Sequence, residues 1–354
     1  MSAGAPARPR EVAILGAGAM GSALATPFRD AGWGVRLWGT WLDDHLLAAC
    51  RAGEPHPRTG VPLAPGTRLF TAADLDAALD GAELVVLAVA SGGVEEVARR
   101  AAPAMAGTRA VLLTSKGFAP DAAGRIRLLP EAVRAAAAER GVTPPPVIAV
   151  GGPCKANEVA AGRPTAAVFA AADRALAAEV AKSVATPGYR AESSADEVGV
   201  EVCAPMKNVY AIALGVADGR SERDGTPWHD LKAAVFAKAV GELVLLTELV
   251  GGRADTAVGL AGVGDLEVTG LSGRNKVYGT RIGRGETARA ALAAMQGAEQ
   301  TVEGVPAAAL AARLVDQRAP DAWPRLPLLR AVRAILADEH DPVELLVEAA
   351  LPQH

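Results

Sequence analysis

The strongest constraint on the fold is a six-residue loop, Gly16-Ala17-Gly18-Ala19-Met20-Gly21, between the apolar run Val12-Ala13-Ile14-Leu15 and a helical run opening Ser22-Ala23-Leu24-Ala25. At this spacing the first glycine permits a tight strand-to-helix turn, the second lets a ligand approach the backbone, and the third lets the helix close onto the strand. The free N–H groups and positive dipole end of the helix then favour an anion such as a pyrophosphate. A lone G-x-G-x-x-G is a weak signal, and a glycine-rich βα turn without a ligand is its plain alternative. Here the strand before it and the helix after it supply the context of a dinucleotide site.

The same pattern continues. Val35 to Trp38, Leu84 to Val89, Ala110 to Leu113 and Val147 to Val150 are short continuous apolar runs separated by Ala-rich helical segments, as expected of parallel strands covered on both faces. The stretch Gly151 to Pro164, followed by Ala166 to Pro187, has room for a last βαβ element. From about Ala191 the β-branched runs stop. Helical spacing takes over in Ser194 to Val216, Asp230 to Val250, Val302 to Gln317, Leu328 to Asp338 and Pro342 to Leu351. The expected organisation is a flexible N-terminus over 1–10, an α/β dinucleotide-binding domain with a doubly wound, mostly parallel sheet over 11–190, and an all-α domain over 191–354.

With 354 residues, two such domains can each bury a core without a disulfide or metal staple. Thirty-six Lys and Arg against 40 Asp and Glu leave a net charge of −4, so no global basic field is present to hold nucleic acid or an anionic membrane. Aromatic residues at 4% argue against stacking platforms for single strands. Cys50, Cys154 and Cys203 are odd in number and widely spaced, which suggests neither a disulfide framework nor a zinc site and fits a reducing cytoplasm. The N-terminal segment has no signal-peptide h-region, and the apolar stretch Leu231 to Val250 is interrupted by Lys232, Lys238, Glu242 and Glu248. His45, His56, His229, His340 and His354 show no metal spacing, and no Ser/His/Asp arrangement is legible, so no metal site is expected.

Four further segments complete a pattern: Thr114-Ser115-Lys116-Gly117; Gly152-Pro153 with Ala156, Glu158 and Ala161-Gly162-Arg163-Pro164-Thr165; Lys207-Asn208-Val209 with Ala211-Ile212 and Ala217-Asp218-Gly219; and Gly264-Asp265-Leu266 with Thr269 and Gly273-Arg274-Asn275. A late Val302-Glu303-Gly304 also fits. With the glycine loop, they stand in the order and spacing of the NAD(P)-dependent glycerol-3-phosphate dehydrogenase family, which the chain resembles from about residue 11 to 335.

The resemblance implies an N-terminal Rossmann domain, a helical C-terminal domain of the 6-phosphogluconate-dehydrogenase type, and substrate in the cleft between them. It implies a cytoplasmic oxidoreductase of glycerophospholipid metabolism that uses NAD or NADP to reduce dihydroxyacetone phosphate to sn-glycerol 3-phosphate. Its partner would be that phosphorylated small molecule, with no nucleic acid and no membrane; the apolar helical half, read on its own, is compatible with a homodimer. Carried over residue by residue, Lys207, Asp265 and Lys116 are the catalytic group. Gly16, Gly18, Ala19, Met20, Gly21, Trp38, Ala156, Arg274 and Glu303 face the cofactor, and Lys116, Gly152, Lys155, Lys207, Asn208, Thr269, Arg274 and Asn275 face the substrate.

The chemistry agrees with this assignment. Reduction of a ketone by hydride leaves an alkoxide, so a donor must deliver a proton to that oxygen, and a lysine within hydrogen-bond reach is suitable. A free lysine titrates near 10.4, so exchange near neutrality requires burial or a neighbouring cation such as Lys116 to oppose the pull of a carboxylate. An arginine fork suits phosphate oxygens, which points to Arg274. The plain alternatives are solvated lysines at 116, 155 and 207, a helix-linking turn with a surface Arg274, and a helix-start carboxylate at Glu303.

Some positions depart from the pattern. Cys154-Lys155 stand where a hydroxyl residue and an aromatic or His are usual, and Asp230, Lys232 and Lys238 stand where bacterial members have Asn and two Arg. Ala90 replaces a usual Pro. These changes leave room for a different hydroxyketone phosphate or phosphonate as substrate, and a dinucleotide sensor without turnover is the non-enzymatic alternative. No acidic residue follows the second strand until Asp43 and Asp44, and Arg36 either faces a 2′-phosphate or points to solvent, so the NAD or NADP preference stays open.

Overall fold

The computed structural model describes residues 10–352, so the flexible stretch expected over 1–10 lies, apart from Arg10, outside the described residues. Two compact units form. Of the described residues, one gathers those up to Ser115 with Pro130–Val150 and Cys154–Ala195; the other gathers Lys116–Leu129, Gly151–Pro153 and those from Asp196 onward.

The first unit is a doubly wound sheet. Its strands are β1 (Glu11–Leu15), β2 (Gly34–Trp38), β3 (Arg68–Phe70), β4 (Leu84–Leu87) and β5 (Ala110–Leu113), while a separate hairpin, β6 (Phe118–Pro120) and β7 (Ile126–Leu128), belongs to the second unit. The sheet continues with β8 (Val147–Gly151), β9 (Thr165–Ala170) and β10 (Tyr189–Ser194). The strand order is β10-β9-β8-β5-β4-β1-β2-β3, with parallel pairing in register along β8-β5-β4-β1-β2-β3 and between β9 and β10. Helices α1 (Ala19–Asp30), α2 (Asp44–Arg51), α3 (Leu75–Leu79), α4 (Val94–Met105), α5 (Leu129–Glu139), α6 (Ala156–Ala160) and α7 (Arg174–Ser183) connect the strands. Val12 to Leu15, Leu84 to Leu87 and Ala110 to Leu113 are buried along their whole length, which explains why their runs read as continuous rather than alternating. The order reverses at β1, which has β2 on one side and β4 on the other, so its carboxyl end is the switch point where such sheets bind ligands. The last βαβ element, β9-α7-β10, runs from Thr165 to Ser194, so its final strand lies beyond the expected end at Pro187.

The second unit is built around α8 (Glu197–Asp224), whose residues from Gly199 to Ala217 are all buried. Asp196 caps its start by accepting from Gly199 N at 2.8 Å, and Gly225 ends it in the left-handed region at φ 65°. Among the described residues it is the one helix long and apolar enough to cross a membrane, and its most apolar window is wholly buried inside the protein. Around it stand α9 (His229–Leu249), α10 (Ala254–Val258), α11 (Asp265–Ser272), α12 (Arg274–Gly283), α13 (Ala288–Gly297), α14 (Gly304–Arg318), α15 (Pro327–Leu336) and α16 (Pro342–Ala350).

Two features tie this unit together. The first is a crossing of α8 and α12 at small residues: a Cβ on Gly215 would sit 2.1 Å from Lys276 O, and one on Gly279 would sit 2.0 Å from Ile212 O. Gly219 and Gly283 repeat the close approach one turn on. The second is Glu242 of α9. Buried in the core, it accepts from the first free N–H groups of α15, Leu328 N at 2.6 Å and Leu329 N at 2.9 Å, and from Tyr210 Oη at 2.9 Å. Burial pushes its carboxyl up to about 7 against the pull of those donors.

The boundary expected after 190 describes the helices but not the hairpin. Phe118, Ile126 and Leu128 bury in the helical core, and Gln317 of α14 acts as a third strand: its Oε1 accepts from Ile126 N at 2.8 Å and its Nε2 donates to Gly124 O at 2.9 Å. Lys116–Leu129 therefore packs with the second unit although it follows a strand of the first.

Candidate active site

In the sheet unit the three glycines do what their spacing requires. Gly16 has φ +115° and donates to Trp38 O at 2.8 Å; a Cβ there would meet Ala88 O at 2.8 Å. A Cβ on Gly21 would lie 1.9 Å from Gly16 O, so helix α1 rests directly on the turn. Gly18 caps α1 without any side-chain hydrogen bond, no acidic residue stands in the first turn, and the space beside it is open, with Arg58 Nη1 3.7 Å from a Cβ position there. An uncapped, uncrowded helix start next to a cation fits the pyrophosphate of NAD or NADP, presented by the backbone of Gly18, Ala19 and Met20.

Three neighbouring residues take roles the sequence did not show. The Trp38 indole is 1% exposed with Nε1 unpartnered, so this residue packs the core and offers a ligand only its backbone. Asp43 is buried, and its Oδ2 accepts from Thr40 N and Thr40 Oγ1 at 2.9 Å each and from Ala17 N at 3.3 Å, so this oxygen ties the loop after β2 to the glycine loop. Arg36 neither points freely to solvent nor waits for a phosphate: its Nε pairs with Glu11 Oε2 at 3.2 Å. Lys155 stands at the N-cap of α6 and Ala156 is its first residue; α6 is held to α1 by Thr26 Oγ1 donating to Ala160 O at 3.0 Å.

In the helical unit Asp265, the first residue of α11, is 0% exposed and gathers two ammonium groups. Its Oδ1 is hydrogen-bonded by Lys207 Nζ, and its Oδ2 accepts from Lys116 Nζ at 3.0 Å. Lys207 comes from the middle of α8 and is 6% exposed; Lys116 is delivered by the segment leading into the hairpin. Burial is the largest influence on Lys207 and lowers its pKa; Asp265 raises it, Lys116 lowers it further, and the outcome is about 7. Asp265 reaches this position through a π turn, Leu260–Gly264, which a glycine makes possible, since a Cβ on Gly262 would collide with Ala257 O at 1.8 Å. Gly152, at φ +102°, lies between Gly151 and a Pro153 that packs 3.6 Å from a Cβ position on Gly264, beside that turn.

Around this triad Thr269 Oγ1 donates to Asp265 O at 2.6 Å. Gly273 caps α12, so Arg274 and Asn275 occupy its first turn rather than a linking loop. The Arg274 side chain is exposed and makes no hydrogen bond or ion pair among the described residues. Asn275 is buried and its amide is engaged: Oδ1 accepts from Gly304 N at 2.8 Å and Nδ2 donates to Asn208 Oδ1 at 2.9 Å, while Asn208 Nδ2 donates to Glu303 Oε2 at 3.3 Å. That relay was not legible beforehand, because its members lie on α8, on α12 and at the start of α14. Of the departing residues, Lys232 pairs with Asp218 at 2.8 Å, a carboxylate it shares with Lys276 at 3.0 Å, while His229 and Asp230 are exposed. No group of three His, Cys, Asp or Glu suited to a metal ion occurs among the described residues.

Comparison with known proteins agrees with this geometry. The family pattern described as NAD-dependent glycerol-3-phosphate dehydrogenase N-terminus matches residues 11–177, and the corresponding C-terminus pattern matches 196–347. The chain is 37% identical over 277 residues to the NADP(+)-dependent glycerol-3-phosphate dehydrogenase of Archaeoglobus fulgidus, covering 77% of this chain and 80% of that one. It is 35% identical over 329 residues to the glycerol-3-phosphate dehydrogenase [NAD(P)+] of a Chelativorans species, covering 92% of each. The crystal structure of glycerol-3-phosphate dehydrogenase from Coxiella burnetii superposes with a TM-score of 0.83 at 29% identity, covering 96% of this chain and 98% of that one. A Rossmann sheet with its glycine loop intact, a helical unit that buries a Lys-Asp-Lys triad, and two family patterns spanning most of the sequence lead to one conclusion: the chain belongs to the NAD-dependent glycerol-3-phosphate dehydrogenase family.

Proposed function

We propose that Lys207 carries the proton and Arg274 the phosphate in the family's reaction, the reduction of dihydroxyacetone phosphate to glycerol 3-phosphate with NAD(P)H. The observation that supports this best is the burial of Lys207 against an aspartate whose second oxygen is held by another lysine. When bound, the nicotinamide supplies the hydride. Lys207, as ammonium, hydrogen-bonds the ketone oxygen, polarises the carbonyl and gives its proton to the oxygen as the alkoxide forms. In the reverse direction the neutral amine takes the proton from the hydroxyl. Asp265 orients Lys207, and Lys116 neutralises Asp265 so that the carboxylate does not lock the proton on the amine. A lysine brought to about 7 serves both directions near neutrality.

The sign of the pH dependence follows. Ketone reduction needs the protonated amine, so kcat for reduction is expected to fall as pH rises through about 7, while kcat for alcohol oxidation rises through the same value. Steady-state profiles in both directions test this, and two profiles moving the same way across neutrality would sink the assignment.

Arg274 offers an unengaged guanidinium at the positive end of α12, an arrangement suited to a phosphate dianion. Arg274→Ala is expected to raise KM for dihydroxyacetone phosphate about 10- to 100-fold, the loss of a charge-assisted contact, with a smaller change in kcat. Inorganic phosphate should inhibit the parent enzyme competitively and the variant much less. Equal phosphate inhibition of both would place the anion elsewhere.

A further inference from the structure

His56 has no role in the proposed proton transfer, yet it is 1% exposed and both of its ring nitrogens are engaged, one of them at the glycine loop. Nε2 lies 2.9 Å from Ala17 O, and Nδ1 accepts from the backbone N–H of Arg58 at 3.2 Å. A backbone N–H can only donate, so Nδ1 carries no proton and Nε2–H donates to Ala17 O. The other edge of the same residue is held by Asp43, whose Oδ2 accepts from Ala17 N at 3.3 Å. Ala17 is the residue between the first two glycines. The backbone of His56 is also committed: its N donates to Val61 O at 2.9 Å, and its O accepts from Thr59 N at 3.1 Å and Gly60 N at 2.8 Å. The turn thus secured carries Arg58, whose guanidinium stands beside Gly18.

We propose that His56 is a positioning residue for the dinucleotide. Its neutral imidazole fixes the Ala17 peptide from the carbonyl side, as Asp43 does from the amide side, and docks the turn that brings a cation to the phosphate-binding glycines. The inference rests on the reading of Gly16 to Gly21 as the cofactor loop. Protonation would place an Nδ1–H against the Arg58 N–H, two donors face to face, and release the clamp. Burial is the largest influence on His56 and lowers its pKa below the usual 6.5. The Ala17 carbonyl and Asp43 raise it, and Arg58 and His45 lower it. The grip is therefore complete above pH 6.5 and is lost as pH falls from there through the lowered value.

The test is calorimetric titration of the full-length enzyme, wild type, His56→Gln and His56→Ala, with NAD+ and NADP+ separately at pH 7.5 and pH 5. Comparing each variant with wild type for the same nucleotide cancels titration of the nucleotide itself. The glutamine amide can still donate to Ala17 O but does not titrate. Wild-type affinity is expected to weaken severalfold more on acidification than that of His56→Gln. His56→Ala should bind about tenfold more weakly at pH 7.5, the loss of roughly one hydrogen bond's worth of preorganisation. Its kcat at saturating cofactor should stay near the parent value, a split that general unfolding would not produce. A wild-type enzyme no more acid-sensitive than His56→Gln, or a His56→Ala variant of parental affinity, overturns the proposal. A wild-type chain that binds neither nucleotide would remove the cofactor reading itself.

Discussion

Replacing Lys207 by alanine is expected to lower kcat for ketone reduction about 10²- to 10⁴-fold, the usual contribution of a positioned general acid. The loss should appear equally in kcat and kcat/KM, because the proton is delivered only as the oxygen gains charge. The fold should survive. Lys116 remains 3.0 Å from Asp265 Oδ2, so the buried carboxylate keeps one ammonium partner rather than being left alone. On the proposed roles Lys116 is not expected to substitute as donor, since it approaches Asp265 from the opposite oxygen. Nucleotide affinity should be nearly unchanged, because the glycine loop stands in the sheet unit. A variant that kept turnover within tenfold of the parent would show that the proton comes from another group.

The largest loss of stability is expected at the crossing of α8 and α12. Gly279→Ala would gain about 0.8–1 kcal/mol of helix propensity. The added methyl would sit 2.0 Å from Ile212 O, however, a backbone atom in the middle of a buried helix that cannot rotate away. The two helices would have to part, and forced overpacking costs about 1–3 kcal/mol and sometimes more. The clash is the larger effect, and we expect a net loss of about 2 kcal/mol, a fall in Tm of roughly 4–8 °C at about 2–4 °C per kcal/mol. Because α12 carries Arg274 and Asn275 and α8 carries Lys207, kcat/KM should fall with it. Gly241→Ala in α9 is the control: nothing lies within 4 Å of the new methyl, so only the propensity gain should register. Differential scanning calorimetry of both variants decides the matter, and a Gly279→Ala Tm at or above the parent value would refute the close-packed crossing.

Much of the fold is readable in the sequence because both-face burial and local turn chemistry leave local marks. β1, β4, β5 and β8 announce themselves as apolar runs, β2 does so on either side of Arg36, and the glycine loop declares its turn. The all-helical half is equally plain from the spacing of Ala, Leu and Val. Three-residue strands such as β3, β6 and β7 are too short for any periodicity, and the allegiance of Lys116–Leu129 is set by Gln317, far along the chain. At the candidate site, the family resemblance pointed to Lys116, Lys207 and Asp265, which the structure brings into contact. The burial of the Trp38 indole was not legible, since an aromatic at the end of a strand can face a ligand or the core with the same local sequence. Sequence reading also passed over Asp43 and His56, whose importance lies in what they grip rather than in any motif.

The amide relay from Gly304 to Glu303 has a direction that cannot be reversed. The main-chain N–H of Gly304 only gives, so Asn275 must turn its oxygen there and its nitrogen toward Asn208, which must in turn aim its own nitrogen at Glu303. Neither amide gains or loses a proton at any ordinary acidity. On the proposed mechanism the neighbouring lysine switches charge with every turnover, while the scaffold at its shoulder keeps one fixed polarity, a chemically silent ruler against which a moving proton can be placed.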